Sequence, residues 1–346
     1  MRIGINGFGR IGRCFMRAHS LLPDEMKQQI KICAINSTTD VAEDLIHLVK
    51  YDSTHGVWDE VLSGGGGGSD DKEIVYNGDK VALLKCSSPG EIPWSDYGVD
   101  LVLESSGKFN AMSDAIMHVG GSVRRVIVSA PSKGCQNNII VSVNDDTLRC
   151  GVGRDAKVLS MGSCTTNCVV PLAYHIHSKI GIESGFMTTI HSYTNDQNLL
   201  DSRHKDRRRA RSAVASMIPT STGATSMIGE IVEELKGKIE GTAVRVPTQN
   251  VSMIDFAFTS KRRTTVDDIL SICGDTASKY PDVVAVNREE LVSVDFNHTK
   301  YSAIFDATQT HVIDGRFCRI AAWYDNEWGF VNRILDVMRM LVAGAN

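Results

Sequence analysis

Short apolar runs separated by helix-compatible stretches fill the first half of the chain. Residues 2–6 read as a strand, Gly7, Gly9 and Gly12 follow it, and residues 11–19 continue as a helix. Residues 30–35, 73–76, 81–84, 99–104, 126–128 and 139–143 repeat the strand signal, most of them bounded by Gly, Pro, Asn or Ser. Such alternation predicts a mostly parallel, doubly wound sheet. The pattern changes near residue 150, and Ser163, Cys164 and Thr165 open a new segment. Beyond it, residues 243–246, 251–259, 302–307 and 319–323 alternate in polarity, which suits a sheet with one face packed and the other wet or at a subunit interface. Residues 329–342 end the chain with a helical period carried by Val331, Ile334, Leu335, Met338 and Leu341.

Composition narrows this picture. A length of 346 residues, 42% of them hydrophobic, supports two domains at about 150 residues each. A disordered tail or a single small module is excluded. The 37 Lys and Arg against 41 Asp and Glu leave a net charge of −4, so no global field draws nucleic acid or anionic lipid. The chain opens on a strand and glycine turn rather than a signal peptide, and no apolar run reaches membrane-spanning length, so no membrane partner is expected. Nine cysteines show no regular spacing, and the closest pair, Cys164 and Cys168, forms CxxxC rather than CxxC. Neither HxxxH nor HExxH occurs, and no metal is expected. This usage fits a reducing cytoplasm in which any special cysteine acts as a free thiol. The glycine run 64–68 resembles a linker, but its strand-like flank at 73–76 makes a hairpin or surface loop within one domain the preferred reading.

Candidate chemistry begins at the first turn. Gly7-Phe8-Gly9-Arg10-Ile11-Gly12 follows a strand and opens a helix, as a dinucleotide fingerprint requires. The next strand ends at Asn36 and Ser37, where the ribose contact should fall. An acidic residue there would bind a ribose 2′-hydroxyl and repel a 2′-phosphate; Ser37, with Thr38 and Thr39, does neither and leaves room for a phosphorylated ribose. A plain turn of small polar residues is the alternative.

Cys164 lies among hydroxyls in Ser163-Cys164-Thr165-Thr166-Asn167-Cys168, ahead of a helical stretch, where the helix dipole can lower a thiol pKa. Alone, it could equally be a buried structural cysteine, as Cys168 is expected to be. His191, at the end of the strand-like Thr188-Thr189-Ile190-His191, is the best-placed base for it. Thr222, Gly223, Arg209 and Arg245 offer hydroxyl, backbone and guanidinium groups suited to phosphate oxygens, although any single arginine could belong to a solvated or intersubunit surface.

These residues together resemble the phosphorylating glyceraldehyde-3-phosphate dehydrogenase family, with erythrose-4-phosphate dehydrogenase as a close relative. The likeness spans essentially the whole chain. It rests on INGFGRIGR at 5–13, KYDSTHG at 50–56, SAPSKG at 129–134, SCTTNC at 163–168, TTIHSYTNDQ at 188–197, RRARSA at 208–213, PTSTGAT at 219–225, RVPT at 245–248 and WYDNEWGF at 323–330. The resemblance implies an α/β Rossmann nucleotide-binding domain over 1–163, completed by a C-terminal helix at 329–346. It also implies an α+β catalytic domain over 164–328 with a large, mostly antiparallel sheet, and a homotetramer.

The resemblance further implies that Cys164 attacks the aldehyde, that His191 is its base, and that phosphate cleaves the resulting thioester. Thr194, Asp196 and Arg245 match residues around the substrate phosphate, and Ser163, Thr165, Thr222, Gly223 and Arg209 those receiving inorganic phosphate. Arg10, Ile11, Ser129 and Asn326 match cofactor contacts. Ser37, Ser202 and Arg203 depart from the NAD-specific pattern, which points to NADP, alongside NAD. Phe330 and residues 292–309 lean toward the four-carbon enzyme, while Thr194 and the PTSTGA segment lean toward glyceraldehyde 3-phosphate.

Overall fold

The computed structural model describes residues 1–60, 62–64, 72–148 and 155–344. Residues 65–68 of the glycine run lie outside them. The chain divides into two compact units. The first comprises Met1–Ile139, Asn144–Gly162 and Val331–Asn346, and the second Ile140–Val143 and Ser163–Phe330.

The first unit is built on an eight-stranded sheet. Its strands are β1 (Arg2–Asn6), β2 (Lys31–Asn36), β5 (Ser63–Gly64), β6 (Glu73–Tyr76), β7 (Asp79–Leu84), β8 (Leu101–Glu104), β9 (Arg125–Val128) and β10 (Val158–Ser160), with a separate hairpin of β3 (Tyr51–Asp52) and β4 (Gly56–Val57). The order is β10-β9-β8-β1-β2-β7-β6-β5, parallel from β10 to β7 and antiparallel at the β6 and β5 edge. Strands β1, β8 and β9 are buried nearly throughout because helices cover both faces of a parallel sheet, which explains their continuous apolar runs. β1 lies between β2 and β8, so the order reverses there and leaves a crevice at the carboxyl ends of these strands.

One expected strand is absent. Residues 139–143 form a buried turn in which the Val143 N–H donates to the Ile140 carbonyl and Ser142 takes a φ of 77°. An apolar run reports burial; here burial does not come with a ladder. This segment also falls in the second unit from Ile140 onward, whereas the sequence placed it with the nucleotide-binding half.

The second unit carries a seven-stranded sheet of β11 (Ile182–Ser192), β12 (Ile218–Thr220), β13 (Ile239–Val246), β14 (Ser252–Ser260), β15 (Val284–Asn287), β16 (Ala303–Ile313) and β17 (Phe317–Tyr324). Its order is β12-β13-β11-β14-β17-β16-β15, and four of its six pairings are antiparallel. Burial alternates residue by residue along β14, with Phe256 and Phe258 fully inside, because helices pack on one face only. The helix Cys164–Ile180 starts on Ser163, whose extended backbone lets its Oγ accept the Thr166 N–H at 3.0 Å. The helix Val266–Lys279 starts on a reciprocal Thr265–Asp268 capping box. In the parallel pairing of β11 and β13, His191 stands opposite Arg245, which brings together two side chains 54 residues apart in the chain.

Candidate active site

Cys164 is the first residue of its helix and is half-buried. His191, 5% exposed near the end of β11, places Nε2 at 3.5 Å from the Cys164 sulfur. Burial, aided by the Arg245 guanidinium, depresses the His191 pKa to about 3, so the ring is neutral in the physiological range and available as a base. Burial also pushes the Cys164 thiol upward, against Arg245 and the Thr165 N–H, which pull it down. The expected helix-start position is therefore present, but the expected lowering of the thiol pKa is reversed, because desolvation of a thiolate outweighs the partial charge of a helix end.

Arg245 reaches into this pair. Its Nη1 lies 3.0 Å from His191 Nδ1, 3.1 Å from the Ser192 carbonyl oxygen and 3.3 Å from Thr194 Oγ1. Its Nε is buried and without a hydrogen-bond partner among the described residues. An orphaned donor on a buried cation is costly unless an anion completes it, so the position suits an oxyanion.

A second basic cluster follows. Arg209 donates from Nε to Thr220 Oγ1 at 3.0 Å, from Nη2 to the Ser221 carbonyl at 3.4 Å, and from Nη1 to the Asp196 carboxylate. His204 Nε2 stands 3.6 Å from the same carboxylate. Although burial opposes it, Arg209 holds Asp196 below the usual carboxylate range. Asp196 thus faces Arg209. Thr222 Oγ1 accepts the Ala224 N–H at 3.2 Å, and Gly223, with open space beside it, begins the helix Ala224–Ile231.

Of the other hydroxyls, Ser163 is spent on the helix cap and Thr165 pairs with the Tyr324 hydroxyl at 2.8 Å. Tyr324 also meets Thr189 Oγ1 at 2.8 Å and presents its ring at 77° to His191, 6.0 Å between centroids. Sequence reasoning missed Tyr324 because it sits inside an ordinary alternating strand. It also missed the Ser192 carbonyl, which faces His191 Nδ1 at 2.7 Å, and the Ser192 and Ser252 hydroxyls, which donate to Asn326 Oδ1 at 2.9 and 3.2 Å. With its oxygen so occupied, Asn326 presents its amide nitrogen as the donor end.

The first unit holds the dinucleotide elements. Gly7 has a φ of 95°, and a Cβ there would meet the Ser106 backbone at 2.4 Å; at Gly12 it would meet the Gly7 carbonyl at 2.4 Å. Side chains are excluded at both, while Gly9 opens onto free space and caps the helix Arg10–Ser20 without a side-chain acceptor. Ile11 belongs to the first turn of that helix. A glycine-lined helix start of this kind fits a pyrophosphate. Arg10 is held by Asp52, through Nη1 at 2.5 Å and Nη2 at 3.1 Å.

Ser129 Oγ donates to the Glu104 carbonyl at 3.0 Å. Ser37 follows β2, and its hydroxyl closes a local turn with Thr39, so it brings absence of charge rather than a free donor. Nearby, Asp40 is already paired with Lys72 at 3.2 Å. In the second unit, Ser202 and Arg203 are exposed.

Beneath the strand ends of the first unit runs a buried polar chain. Trp94 Nε1 donates to His118 Nδ1 at 3.1 Å, His118 Nε2 lies 3.0 Å from Glu104 Oε2, and Asn6 Nδ2 donates to the same oxygen at 2.5 Å.

Comparison with known proteins bears on these two sites. The family model for the NAD binding domain of glyceraldehyde 3-phosphate dehydrogenase matches residues 1–112, and that for the C-terminal domain matches residues 163–326. A glyceraldehyde-3-phosphate dehydrogenase of Pseudomonas aeruginosa is 44% identical over 99% of this chain and 98% of its own length. Glyceraldehyde-3-phosphate dehydrogenase 1 of Bacillus cereus and the enzyme of Geobacillus stearothermophilus are each 42% identical, with the same coverage.

Proposed function

From the premise that the chain belongs to the glyceraldehyde-3-phosphate dehydrogenase family and is an NAD(P)-dependent oxidoreductase, we propose that it converts D-glyceraldehyde 3-phosphate and inorganic phosphate reversibly to 1,3-bisphosphoglycerate through a thioester on Cys164. The observation that carries this reading is the thiol–imidazole pair at 3.5 Å beside a buried arginine with an unpartnered Nε. His191 Nε2 takes the thiol proton as sulfur attacks the aldehyde carbon. The oxyanion then forms against the N–H groups at the start of the Cys164 helix, which are in place before charge develops. The dinucleotide, when bound, supplies the hydride acceptor, and Gly7, Gly9, Arg10, Ile11 and Gly12 of the first unit would hold its pyrophosphate. Inorganic phosphate, received near Arg209, Thr222 and Gly223, cleaves the thioester, while Arg245 and Thr194 hold the substrate phosphate.

For the cofactor we favour NADP, used alongside NAD. Position 37 carries no carboxylate, and the nearby Asp40 is neutralised by Lys72, so little repels a 2′-phosphate. The reading also includes a cytoplasmic homotetramer, to which Leu199, Leu200 and Met217, exposed at 68, 73 and 75%, would contribute an apolar surface. The second substrate reading is NAD-dependent oxidation of erythrose 4-phosphate to 4-phosphoerythronate, favoured by Phe330 and the 292–309 segment. Steady-state kcat/KM for both aldehydes, with each cofactor and with and without inorganic phosphate, decides among these. Glyceraldehyde 3-phosphate with NADP should be efficient and phosphate-dependent. A kcat/KM for NAD far above that for NADP would remove the cofactor assignment, and preference for the four-carbon aldehyde would remove the substrate assignment.

A further inference from the structure

Two side chains hydrogen-bonded to Thr194 each carry a donor with nothing to donate to. One is Arg245, whose Nη1 lies 3.3 Å from Thr194 Oγ1 and whose buried Nε has no hydrogen-bond partner among the described residues. The other is Gln197, a side chain only 9% exposed, whose Nε2 is likewise without a partner among the described residues.

The Gln197 amide is held one way round. Its Oε1 accepts the Thr194 N–H at 3.3 Å, and the Gln197 N–H donates to the Thr194 carbonyl at 2.9 Å, so the side chain folds back over its own turn. A reversed amide would set donor against donor at Thr194. The turn therefore occupies the carbonyl end of the amide and leaves its NH2 end over. Thr194 itself accepts from Arg245 through Oγ1, which leaves the hydroxyl proton to be given elsewhere. Asp196, inside the same turn, has its charge met by Arg209.

Buried donors without acceptors are unfavourable, and donors gathered on one threonine share a remedy in a single anion with several oxygens. A phosphoryl group has three terminal oxygens, one each for Arg245 Nε, Thr194 Oγ1 and Gln197 Nε2. A planar carboxylate has one too few. We propose that Gln197 is a direct donor to the substrate's phosphoryl group, its Nε2 completing with Arg245 and Thr194 a three-donor seat that selects phosphorylated aldehydes. The amide adds a hydrogen bond without adding charge, and no covalent bond is made or broken at Gln197. This inference rests on the assignment of Arg245 and Thr194 to the substrate phosphate.

Two variants of the full-length protein separate donation from support of the turn. Q197E keeps an oxygen for the Thr194 N–H and puts a carboxylate oxygen where the NH2 stood, whereas Q197M keeps the length and loses both groups. The quantity read is kcat/KM for glyceraldehyde 3-phosphate divided by that for unphosphorylated glyceraldehyde, which isolates recognition of the phosphoryl group. Donation predicts a fall of about tenfold in Q197M, for one lost hydrogen bond to a charged group, and of about a hundredfold in Q197E, where repulsion of the dianion is added. KM for inorganic phosphate should change little in either. If Gln197 only braces the turn, the order reverses, because Q197E retains the Thr194 contact and Q197M does not. That reversed order, an equal loss with both aldehydes, or a loss confined to KM for inorganic phosphate overturns the proposal. Should Q197M fail to fold, the ratio in Q197E decides alone. R245A tests the assignment beneath: if the preference for the phosphorylated aldehyde survives R245A, Arg245 does not hold the substrate phosphate. If R245A loses that preference while Q197E and Q197M keep it, Gln197 alone is refuted.

Discussion

His118 and His191 are both buried, at 3 and 5% exposure, but their ring nitrogens meet different surroundings. At His118 the indole N–H of Trp94 points at Nδ1 and the Glu104 carboxylate faces Nε2 at 3.0 Å, so the Nε2–H tautomer suits both of these groups. At His191 a donor and an acceptor compete for Nδ1, and no single neutral form meets both. The first arrangement fixes a proton and serves as structure under the ends of β1 and β8. The second leaves a proton movable beside a thiol, which is a requirement of general-base chemistry. Burial is common to the two; the sign of the neighbouring groups separates a strut from the proposed base.

The sharpest break of this comparison is removal of the proposed nucleophile. C164S should lower kcat by about a thousandfold or more, because the hydroxyl is a far poorer nucleophile beside the same base. Retained turnover would show that His191 does not serve this thiol. Next in size, H118F leaves the buried Glu104 without its imidazole partner and should cost about 3 kcal/mol of unfolding free energy, read from urea titration, while the folded fraction still turns over. Lost turnover at unchanged stability would make His118 a functional residue instead.

A smaller effect separates the two through acid. The pKa of His191 in the folded protein is about 3, against an ordinary value of 6.5, so below 6.5 the unfolded chain takes up a proton that the native ring refuses. Stability should fall with decreasing pH by up to about 1.4 kcal/mol per unit from this group, between about pH 6 and 4. H191N should flatten that slope in urea midpoints; an unchanged slope would mean the ring is not desolvated. The smallest effect lies outside both histidines. S37D should reduce kcat/KM for NADP by about tenfold and spare NAD, through repulsion of the 2′-phosphate. Equal losses with both cofactors would misplace the ribose contact.

What the sequence made legible was local. The β1–Gly7–helix unit could be read because strand, turn and helix start are consecutive, and the Gly7 and Gly12 close approaches require residues without a side chain. Cys164 could be read as a helix start because Ser163 is a good cap immediately before it. The direction of the thiol pKa could not be read, since the burial that pushes it up is contributed by distant chain. Residues 139–143 were misjudged because apolar composition is shared by buried strands and buried turns. The contact of Arg245 with His191 depends on the pairing of β11 with β13, a long-range match that no local pattern encodes. Tyr324, Ser192 and Ser252 act through hydroxyl and carbonyl groups that sequence periodicity does not distinguish from ordinary strand positions.

The register of β11 against β13 has a consequence for how such a molecule can diversify. His191 and Arg245 are anchored in neighbouring strands, whereas Thr194, Asp196, Arg209, Thr222 and Gly223 all belong to the excursion between them. Grafts, insertions or wholesale replacement within that excursion would rewrite which oxyanions are welcomed and leave the anchored pair untouched. The imidazole and one oxyanion-facing guanidinium are thus held by the sheet, while the remaining oxyanion-binding groups are open to revision by selection or by an engineer.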